Sequence, residues 1–201
     1  MKKLTVKLTA EQNAFIKSHS QYKAFRGDPA SGKTTAGAYD LLLSAAKLTG
    51  GDYWVFAPNY KMMQYATLQP FRERAESLGL WDKFLQGDML AVLTNGATIH
   101  FASAESDAIY SYGGEGLWID NAEHIESTIA AIILGRARGW ATMTFTPQPK
   151  KFFEWSGQMH AHWTDVVTTS WFNVSAKIEG NKFLDPDTIK QLRKSFPSTG
   201  T

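Results

Sequence analysis

The chain has 201 residues, 43% of them hydrophobic and 13% aromatic, and is therefore long enough to bury the core of one globular domain. Lysine and arginine number 21 and aspartate and glutamate 19, which excludes the strongly basic exterior of a protein whose whole surface grips nucleic acid. The absence of cysteine excludes disulfides, thiolate zinc sites and a cysteine nucleophile. Because no segment resembles a membrane span or a secretory signal, a cytoplasmic protein is expected.

Short apolar runs alternate with helical stretches along the chain. This pattern is typical of crossover units that build a mostly parallel sheet flanked by helices, and it predicts an α/β fold with one domain over residues 1–201. Buried strands are predicted at residues 22–26, 53–57, 117–119, 142–146 and 166–169. A helix is predicted over residues 34–48, where Ala and Leu recur at helical spacing until Gly50 and Gly51 end it.

The remaining predicted elements surround this parallel core. Two apolar runs within residues 89–102 are joined by Asn95-Gly96, a strong signal for a tight antiparallel hairpin. Further helices are predicted over residues 61–78, with a break before Pro70, over residues 122–134, and from Asp185-Pro186 onwards. The last of these begins with a capping side chain followed by proline at the first helical position.

The strongest chemical signal in the sequence is a complete phosphate-binding loop of the form G-x-x-x-x-G-K-[ST]. Its residues are Gly27, Asp28, Pro29, Ala30, Ser31, Gly32, Lys33 and Thr34. The glycines let backbone N–H groups wrap phosphate oxygens, Lys33 reaches the outer phosphates of a nucleoside triphosphate, and the Thr34 hydroxyl is suited to Mg²⁺. A predicted strand precedes the loop and a predicted helix follows it, which is the context that the motif requires.

A phosphate-binding loop needs a carboxylate that holds the magnesium shell at the tip of a neighbouring strand. Asp120 follows the apolar run 117–119 and fits this role. Hydrolysis also needs a residue that orients or deprotonates water, usually directly after the aspartate, yet Asn121 stands there and a neutral amide is a negligible base. Glu123 is the nearest carboxylate, and it either supplies the base or is a solvent-facing residue that opens the helix predicted over 122–134.

Several further segments follow one another in an ordered series. They are Leu8-Thr-Ala-Glu-Gln12, Phe25-Arg-Gly27, Phe56-Ala-Pro-Asn-Tyr60-Lys-Met-Met-Gln-Tyr-Ala-Thr-Leu68, Leu93-Thr-Asn-Gly-Ala-Thr-Ile-His-Phe-Ala-Ser103, Trp118-Ile-Asp-Asn-Ala-Glu-His-Ile125 and Thr144-Phe-Thr-Pro147. Together with the phosphate-binding loop, this series resembles the N-terminal ATPase domain of the large terminase subunit of tailed bacteriophages, the motor that pushes DNA into the capsid. The resemblance covers nearly all 201 residues and implies a P-loop NTPase fold of the additional-strand type with ATP and Mg²⁺ as cofactors.

The resemblance assigns further roles residue by residue. Gln12 resembles the residue that reads the adenine edge, for which an amide with both a donor and an acceptor is suited; the alternative is a surface glutamine on a helix. Thr146 and Pro147 match a coupling motif that senses the γ-phosphate, with an ordinary strand-ending Thr-Pro as the alternative. The nucleotide-binding residues are thus predicted to be Gln12, all eight residues of the loop 27–34, Thr35 and Thr146, with Thr34 and Asp120 as metal ligands.

In a packaging ring of this family, one subunit commonly donates an arginine to the nucleotide of its neighbour, where the charge stabilises the transition state. The family often places this arginine just before a glycine ahead of the magnesium carboxylate. The corresponding residue of this chain is Tyr112, which precedes Gly113. Arg26, Arg136 and Arg138 are alternative donors, although each is also accounted for as a solvated surface arginine.

The two departures from the family, Asn121 and Tyr112, both concern hydrolysis rather than binding. Either Asn121 was introduced in place of glutamate, or this branch of the family uses Glu123 and a different arginine. The predicted function is a motor domain that couples ATP hydrolysis to translocation of double-stranded DNA into the procapsid. The alternative is a nucleotide-binding interaction module with impaired or lost hydrolysis. A kinase of another P-loop family fits less well, because arginines that could form a lid over the phosphates are sparse after the loop. A helicase fits less well because the length leaves no room for a second nucleotide-facing domain.

The partners implied by the resemblance are double-stranded DNA bound without sequence preference, a portal protein, a small terminase subunit and further copies in a homo-oligomeric ring, in the cytoplasm of the infected bacterium. The C-terminal nuclease domain of the family is expected to be absent, since Asp185 and Asp187 belong to a helix start rather than to an acidic metal triad. Lys150 and Lys151 precede several aromatic residues and are a candidate DNA contact, but burial of those aromatics in the core is the stronger interpretation.

Overall fold

A computed structural model describes residues 6–146 and 171–195 of the chain. Within them, eight strands form one mixed sheet. The strands are β1 (Tyr22–Gly27), β2 (Asp52–Ala57), β3 (Trp81–Leu85), β4 (Leu90–Leu93), β5 (Thr98–Ser103), β6 (Gly116–Asp120), β7 (Trp140–Phe145) and β8 (Phe172–Ala176). The strand predicted at residues 166–169, the predicted role of Pro147 and the basic pair Lys150 and Lys151 fall outside the described residues.

The strand order across the sheet is β3-β4-β5-β2-β6-β7-β1-β8. The six strands from β5 to β8 in this order pair in parallel, and β4 and β3 continue the sheet antiparallel at one edge. β7 therefore separates β1, which leads into the phosphate-binding loop, from β6, which ends at Asp120. One strand inserted between those two is the additional-strand arrangement, so the predicted fold class is confirmed.

Helices cover both faces of the sheet. They are α1 (Ala10–Lys17), α2 (Lys33–Ala45), α3 (Tyr60–Met62), α4 (Gln69–Ser77), α5 (Ala108–Ser111), α6 (Ser127–Gly135) and α7 (Pro186–Ser195). Their buried residues form two main clusters, one between the sheet and α2 with α4, the other between the sheet and α5 with α6. None of the described helices is both long enough and apolar enough to cross a membrane.

The hairpin predicted at Asn95-Gly96 is confirmed. β4 and β5 pair antiparallel, and Gly96 has a φ of +83°, a left-handed conformation that suits glycine in such a turn. The Asn95 amide donates to the carbonyl oxygens of Ala45 and Leu48, at 2.8 Å each, which ties the hairpin to the end of α2. The outer strand β3 was not predicted, because charged residues and a bulge after Trp81 break its alternation of apolar side chains.

The break predicted before Pro70 is wrong. A π-helical segment, Met63–Leu68, connects α3 to α4, and both Leu68 and Gln69 have right-handed helical dihedral angles. Proline lacks an N–H group and normally interrupts the α-helical hydrogen bonds, but here it follows a wider turn and stands in the first turn of α4. The chain therefore stays helical from Tyr60 to Ser77.

The single helix predicted over residues 122–134 is also wrong. Asn121 has a φ of 53°, a left-handed conformation that asparagine tolerates, and it turns the chain into one short 3-10 turn, Ala122–His124. Ile125 is then extended and largely buried, so the α-helix begins only at Ser127. The predicted helix start at Asp185 is confirmed, since its carboxylate accepts a hydrogen bond from the Thr188 amide at 2.8 Å.

Candidate nucleotide-binding site

The phosphate-binding loop lies at the edge of the sheet where the parallel strands end. β1 ends at Gly27, β6 at Asp120 and β7 at Phe145, so the loop, Asp120 and Thr146 meet although they are far apart in sequence. A cleft of about 450 Å³ opens at this edge. The predicted site residues that line it are Pro29, Ala30, Gly32, Lys33, Thr34, Thr35, Asn121 and Thr146.

The backbone of the loop is shaped to face an anion. Ala30 and Gly32 have φ angles of 60° and 90°, and Gly32 directly precedes the first residue of α2. The Ser31 amide donates to the Asp28 carbonyl oxygen at 3.1 Å, which closes the loop. Because the first N–H groups of a helix lack partners within the helix and carry partial positive charge, the start of α2 is suited to bind phosphate.

The Lys33 ammonium group is held inside the loop. The residue is only 9% exposed, and its Nζ atom donates to the Asp28 carbonyl oxygen at 2.7 Å. Burial lowers the pKa of Lys33, while the nearby carboxylates of Glu123, Asp120 and Asp28 oppose this shift. A single hydrogen bond to a neutral carbonyl leaves two N–H donors of the ammonium group for phosphate oxygens.

Asp120 is the centre of the polar network at this edge. It is 1% exposed, and its carboxylate accepts hydrogen bonds from the hydroxyls of Thr144 at 2.6 Å, Thr67 at 2.8 Å and Thr34 at 3.1 Å, and from the Asn121 amide at 3.1 Å. Burial raises the pKa of Asp120 to about 6, although the threonine hydroxyls act in the opposite direction. The carboxylate is therefore buried, fully hydrogen-bonded and fixed in orientation.

These oxygens suit a magnesium ion. Mg²⁺ prefers oxygen ligands and is usually held by one or two carboxylates together with substrate phosphates rather than by an all-protein cage. Thr34 and Asp120 place a hydroxyl and a carboxylate side by side, 3.1 Å apart, next to the phosphate-binding loop. Over residues 6–146 and 171–195, no cluster of three or more His, Cys, Asp or Glu side chains offers another metal site.

Asn121 and Glu123 occupy different places in the turn after β6. The Asn121 amide points back to Asp120 and lines the cleft. Glu123 lies within the 3-10 turn, and its Oε2 atom is buried without a hydrogen-bond partner among the described residues. The interpretation of Glu123 as the residue that opens an α-helix is wrong, because the α-helix begins only at Ser127. Glu123 is partly exposed as a residue, although this one oxygen is buried.

Gln12 lies beside the loop, in a second cleft of about 470 Å³ that adjoins the first. Its amide oxygen accepts from the Thr9 backbone N–H as part of a capping box at the start of α1, and its Nε2 atom donates to the Gly32 carbonyl oxygen at 3.0 Å. Tyr39, Arg74 and Phe183 also line this cleft. Gln12 is 2% exposed, so it is not the surface glutamine of the alternative interpretation.

Four residues of the site were not predicted from the sequence. Thr67 and Thr144 bind Asp120, Arg74 donates to the Thr35 hydroxyl at 3.2 Å, and the Asn181 amide donates to the Ala30 carbonyl oxygen at 2.7 Å. Thr67 and Thr144 both lie in segments that resemble the family, but nothing in those segments singled out either hydroxyl. The others carry no local signal, because they reach the loop only through packing of distant elements.

The candidate residues for donation to a neighbouring subunit differ in exposure. Tyr112 is 5% exposed and its hydroxyl is buried without a partner among the described residues, so it cannot reach another chain. Arg136 and Arg138 are exposed in the turn before β7. Arg138 lies against Gly113, because a Cβ atom added to Gly113 would come within 2.9 Å of its guanidinium group. Arg26 is exposed and donates to the Ser175 hydroxyl at 2.5 Å.

Solved structures with the same architecture include three phage terminases. The large terminase of a thermophilic bacteriophage superposes with a TM-score of 0.80 at 11% identity, over 96% of this chain and 52% of that one. The HK97 bacteriophage large terminase superposes with a TM-score of 0.70 at 11% identity, over 94% of this chain and 47% of that one. The ATPase domain of the Thermus phage P74-26 large terminase superposes with a TM-score of 0.60 at 16% identity, over 94% of this chain and 85% of that one. The chain thus spans about half the length of the first of these proteins. Another structure of that terminase is a complex with ATP-gamma-S.

A family model gives the more specific assignment. No curated protein sequence matches the chain significantly. The model described as terminase large subunit, T4likevirus-type, N-terminal, matches residues 25–199, which include the phosphate-binding loop and Asp120. Because this match covers most of the chain and the fold agrees with it, the chain belongs to the family of N-terminal domains of the T4likevirus-type terminase large subunit.

Proposed function

We propose that the chain is an ATP-driven motor domain that couples hydrolysis of MgATP to translocation of double-stranded DNA into a phage procapsid. The contact between Thr34 and Asp120 carries this proposal, because it joins the phosphate-binding loop to the carboxylate of the neighbouring strand at 3.1 Å. That pairing is the arrangement by which P-loop NTPases hold the metal ion of their nucleotide. Family membership supports the assignment of ATP as the nucleotide and of DNA as the molecule that the motor translocates.

The nucleotide would lie across the two adjoining clefts. The N-terminus of α2 and Lys33 bind the phosphates, while Thr34 and Asp120 hold Mg²⁺, which neutralises charge on the phosphate oxygens when it is bound. Arg74 adds a cation beside Thr35 at the boundary between the clefts. Gln12, in the second cleft, retains one N–H and one lone pair for the adenine edge, and Thr146 lies at the phosphate end, where a γ-phosphate sensor is needed.

Glu123 is the general base in this proposal. A water molecule attacks the γ-phosphorus, the bond to the β-phosphate oxygen breaks, and the proton of the water passes to a carboxylate and then to solvent. The buried Oε2 atom of Glu123 has no hydrogen-bond partner within residues 6–146 and 171–195, and Glu123 lies close enough to Lys33 to influence the pKa of that lysine. Asn121 supplies an amide that can orient the water but cannot accept its proton.

The larger assembly follows from the family rather than from this chain alone. We infer a homo-oligomeric ring around double-stranded DNA, docked on a portal protein, with DNA delivered by a small terminase subunit in the cytoplasm of the infected bacterium. A motor must handle every sequence, so contacts to phosphates rather than to base edges are expected. Arg138, exposed beside Gly113, is the proposed donor to the nucleotide of a neighbouring subunit.

Steady-state hydrolysis of ATP, with and without double-stranded DNA of mixed sequence, tests the proposal. Lys33→Ala is expected to abolish nucleotide binding and hydrolysis. Glu123→Gln is expected to keep binding but to lower turnover by about two orders of magnitude or more, the usual contribution of a positioned general base. Glu126→Gln, which changes an exposed glutamate three residues further on, directly before α6, is the matched control and should retain turnover.

The outcomes separate the motor from a binding module. Equal hydrolysis by the parent and by Lys33→Ala would contradict an enzymatic function altogether. If the parent binds ATP but turns it over slowly, and Asn121→Glu raises the rate by about two orders of magnitude or more, the chain is a nucleotide-binding module with impaired hydrolysis. Hydrolysis that double-stranded DNA does not stimulate would support an ATPase but not a DNA motor.

A further inference from the structure

Asp28 connects the phosphate-binding loop to the C-terminal part of the described chain. Its backbone carbonyl faces into the loop and accepts from the Lys33 ammonium group at 2.7 Å. Its carboxylate faces the other way, where Oδ2 accepts from the Ile178 amide at 3.1 Å and from an Nη atom of Arg193 at 2.8 Å. One residue of the loop therefore contacts both the cation for the phosphates and a helix far away in sequence.

Arg193 is itself held firmly in place. Its guanidinium group makes two bonds of 2.6 Å to the carboxylate of Glu179, in addition to the bond to Asp28. This is the paired geometry in which the planar guanidinium group recognises a carboxylate. No residue of α7 is fully buried, and these polar contacts fix the helix to the loop and to Glu179.

The sign of the charge on Asp28 matters for binding. A nucleoside triphosphate brings several negative charges to a loop that already contains a carboxylate, and like charges at short range repel. The Asp28 side chain is only 27% exposed, so solvent screens it incompletely. Arg193 forms the ion pair with this carboxylate, whereas the other carboxylate that it binds, Glu179, is 53% exposed and better screened.

We propose that Arg193 is a positioning residue for nucleotide binding, which neutralises Asp28 and thereby couples the docking of α7 to the occupancy of the phosphate-binding loop. The inference rests on the proposed function, since it assumes that the loop binds a triphosphate. Coupling of this kind is reciprocal, so a bound nucleotide stabilises the docked helix to the same extent that the docked helix favours the nucleotide.

Titration of the full chain with Mg²⁺ and the nonhydrolysable analogue AMP-PNP, by calorimetry, tests this coupling. Arg193→Ala is expected to weaken binding by about tenfold, within the usual range of coupling between sites. Lys194→Ala removes the same charge from the neighbouring, exposed position of α7 and should leave affinity unchanged. In the Arg193→Ala background, Asp28→Asn should restore most of the lost affinity, because the uncompensated carboxylate is then gone.

The rescue distinguishes charge compensation from simple loss of structure. Arg193→Ala with parental affinity, or a double variant no tighter than Arg193→Ala, would overturn the proposal. Arg193→Lys, which keeps the charge but loses the paired geometry, should fall between the parent and Arg193→Ala, and it serves as the test if Arg193→Ala does not fold. Hydrogen exchange of the α7 amides should slow when AMP-PNP is added to the parent but not to Arg193→Ala.

Failure of this inference is separable from failure of the proposed function. A parent that does not bind Mg²⁺ and AMP-PNP, or binds no more tightly than Lys33→Ala, overturns both. A parent that binds while Lys33→Ala does not, together with full affinity in Arg193→Ala, overturns only the role of Arg193.

Discussion

At the scale of single residues, one hydroxyl joins the hydrophobic core to the candidate site. The Thr144 hydroxyl accepts from the indole Nε1 of Trp118 at 2.9 Å and donates to Asp120 at 2.6 Å. All three residues are at most 1% exposed, so water cannot replace either bond. Thr144 thus serves stability and function through the same oxygen atom, and both should respond to its loss.

Thr144→Val keeps the shape of the side chain but removes this oxygen. The indole N–H is then buried without a partner, which should lower the free energy of unfolding by about 1 to 3 kcal/mol in urea denaturation. Asp120 also loses its shortest hydrogen bond, so ATP turnover should fall by about tenfold or more, the effect of about 1.4 kcal/mol on the barrier.

Thr142→Val is the matched control. Thr142 lies on the same strand, is 0% exposed and donates to Asp40 at 2.7 Å, but it is two residues before Thr144 and pairs with Trp118 rather than with Asp120. It should lose similar stability while turnover measured below the unfolding transition is retained. An equal fall of turnover in both variants would show that Thr144 acts through stability alone.

At the scale of elements, the approach of α2 to β6 sets the position of the phosphate-binding loop. Gly37 of α2 lies against the indole ring of Trp118 on β6, and a Cβ atom added to Gly37 would fall 2.3 Å from its Nε1 atom. The π-helical segment makes a second close approach, because it brings the Thr67 hydroxyl within 2.8 Å of Asp120. Both approaches require the backbones of the two elements to come close together.

Gly37→Ala should therefore push α2 away from β6. Overpacking of this kind costs about 1 to 3 kcal/mol of stability, measurable by urea denaturation, even though alanine is the better helix former. Gly135→Ala, in the last position of α6, is the control and should be neutral or slightly stabilising, because no atom of the described residues beyond its own helix and chain neighbours lies within 4 Å of the added Cβ. A stabilising effect of Gly37→Ala would contradict the close contact with Trp118.

At the scale of the whole molecule, the N-terminal helix α1, the loop and the C-terminal segment converge on one site. Gln12 binds the Gly32 carbonyl, Asn181 binds the Ala30 carbonyl, and Arg193 binds the Asp28 carboxylate. A ligand of the loop is therefore expected to stabilise the entire domain rather than one segment, because distant elements share its backbone.

Thermal unfolding in the presence of Mg²⁺ and AMP-PNP measures this linkage. At a ligand concentration about 100 times the dissociation constant, binding to the native state adds about 2.7 kcal/mol to the free energy of unfolding. The midpoint should rise accordingly for the parent and stay unchanged for Lys33→Ala. Equal shifts in both proteins would mean that the analogue binds somewhere other than the phosphate-binding loop.

Much of the site was predictable because its main motif is contiguous. The order Gly27 to Thr34 between a strand and a helix requires only local backbone geometry, and Asp120 stands at the end of an apolar run whose parallel neighbours end at the same edge. Pro70 and the residues after Asp120 misled the sequence-based prediction. A π-helical turn and a left-handed Asn121 settle those positions.

The sequence by itself determined the parallel α/β class, the phosphate-binding loop motif and the position of the carboxylate proposed to hold magnesium, since each depends on residue types at short, regular spacing. Only the tertiary structure decided which groups surround them. The hydroxyls of Thr67 and Thr144 bind Asp120, and Arg193 pairs with Asp28, across separations of 24 to 165 residues. The buried oxygen of Glu123 lies in a turn whose shape was not predicted. Such contacts depend on how whole elements pack, and no local pattern of residues encodes that packing.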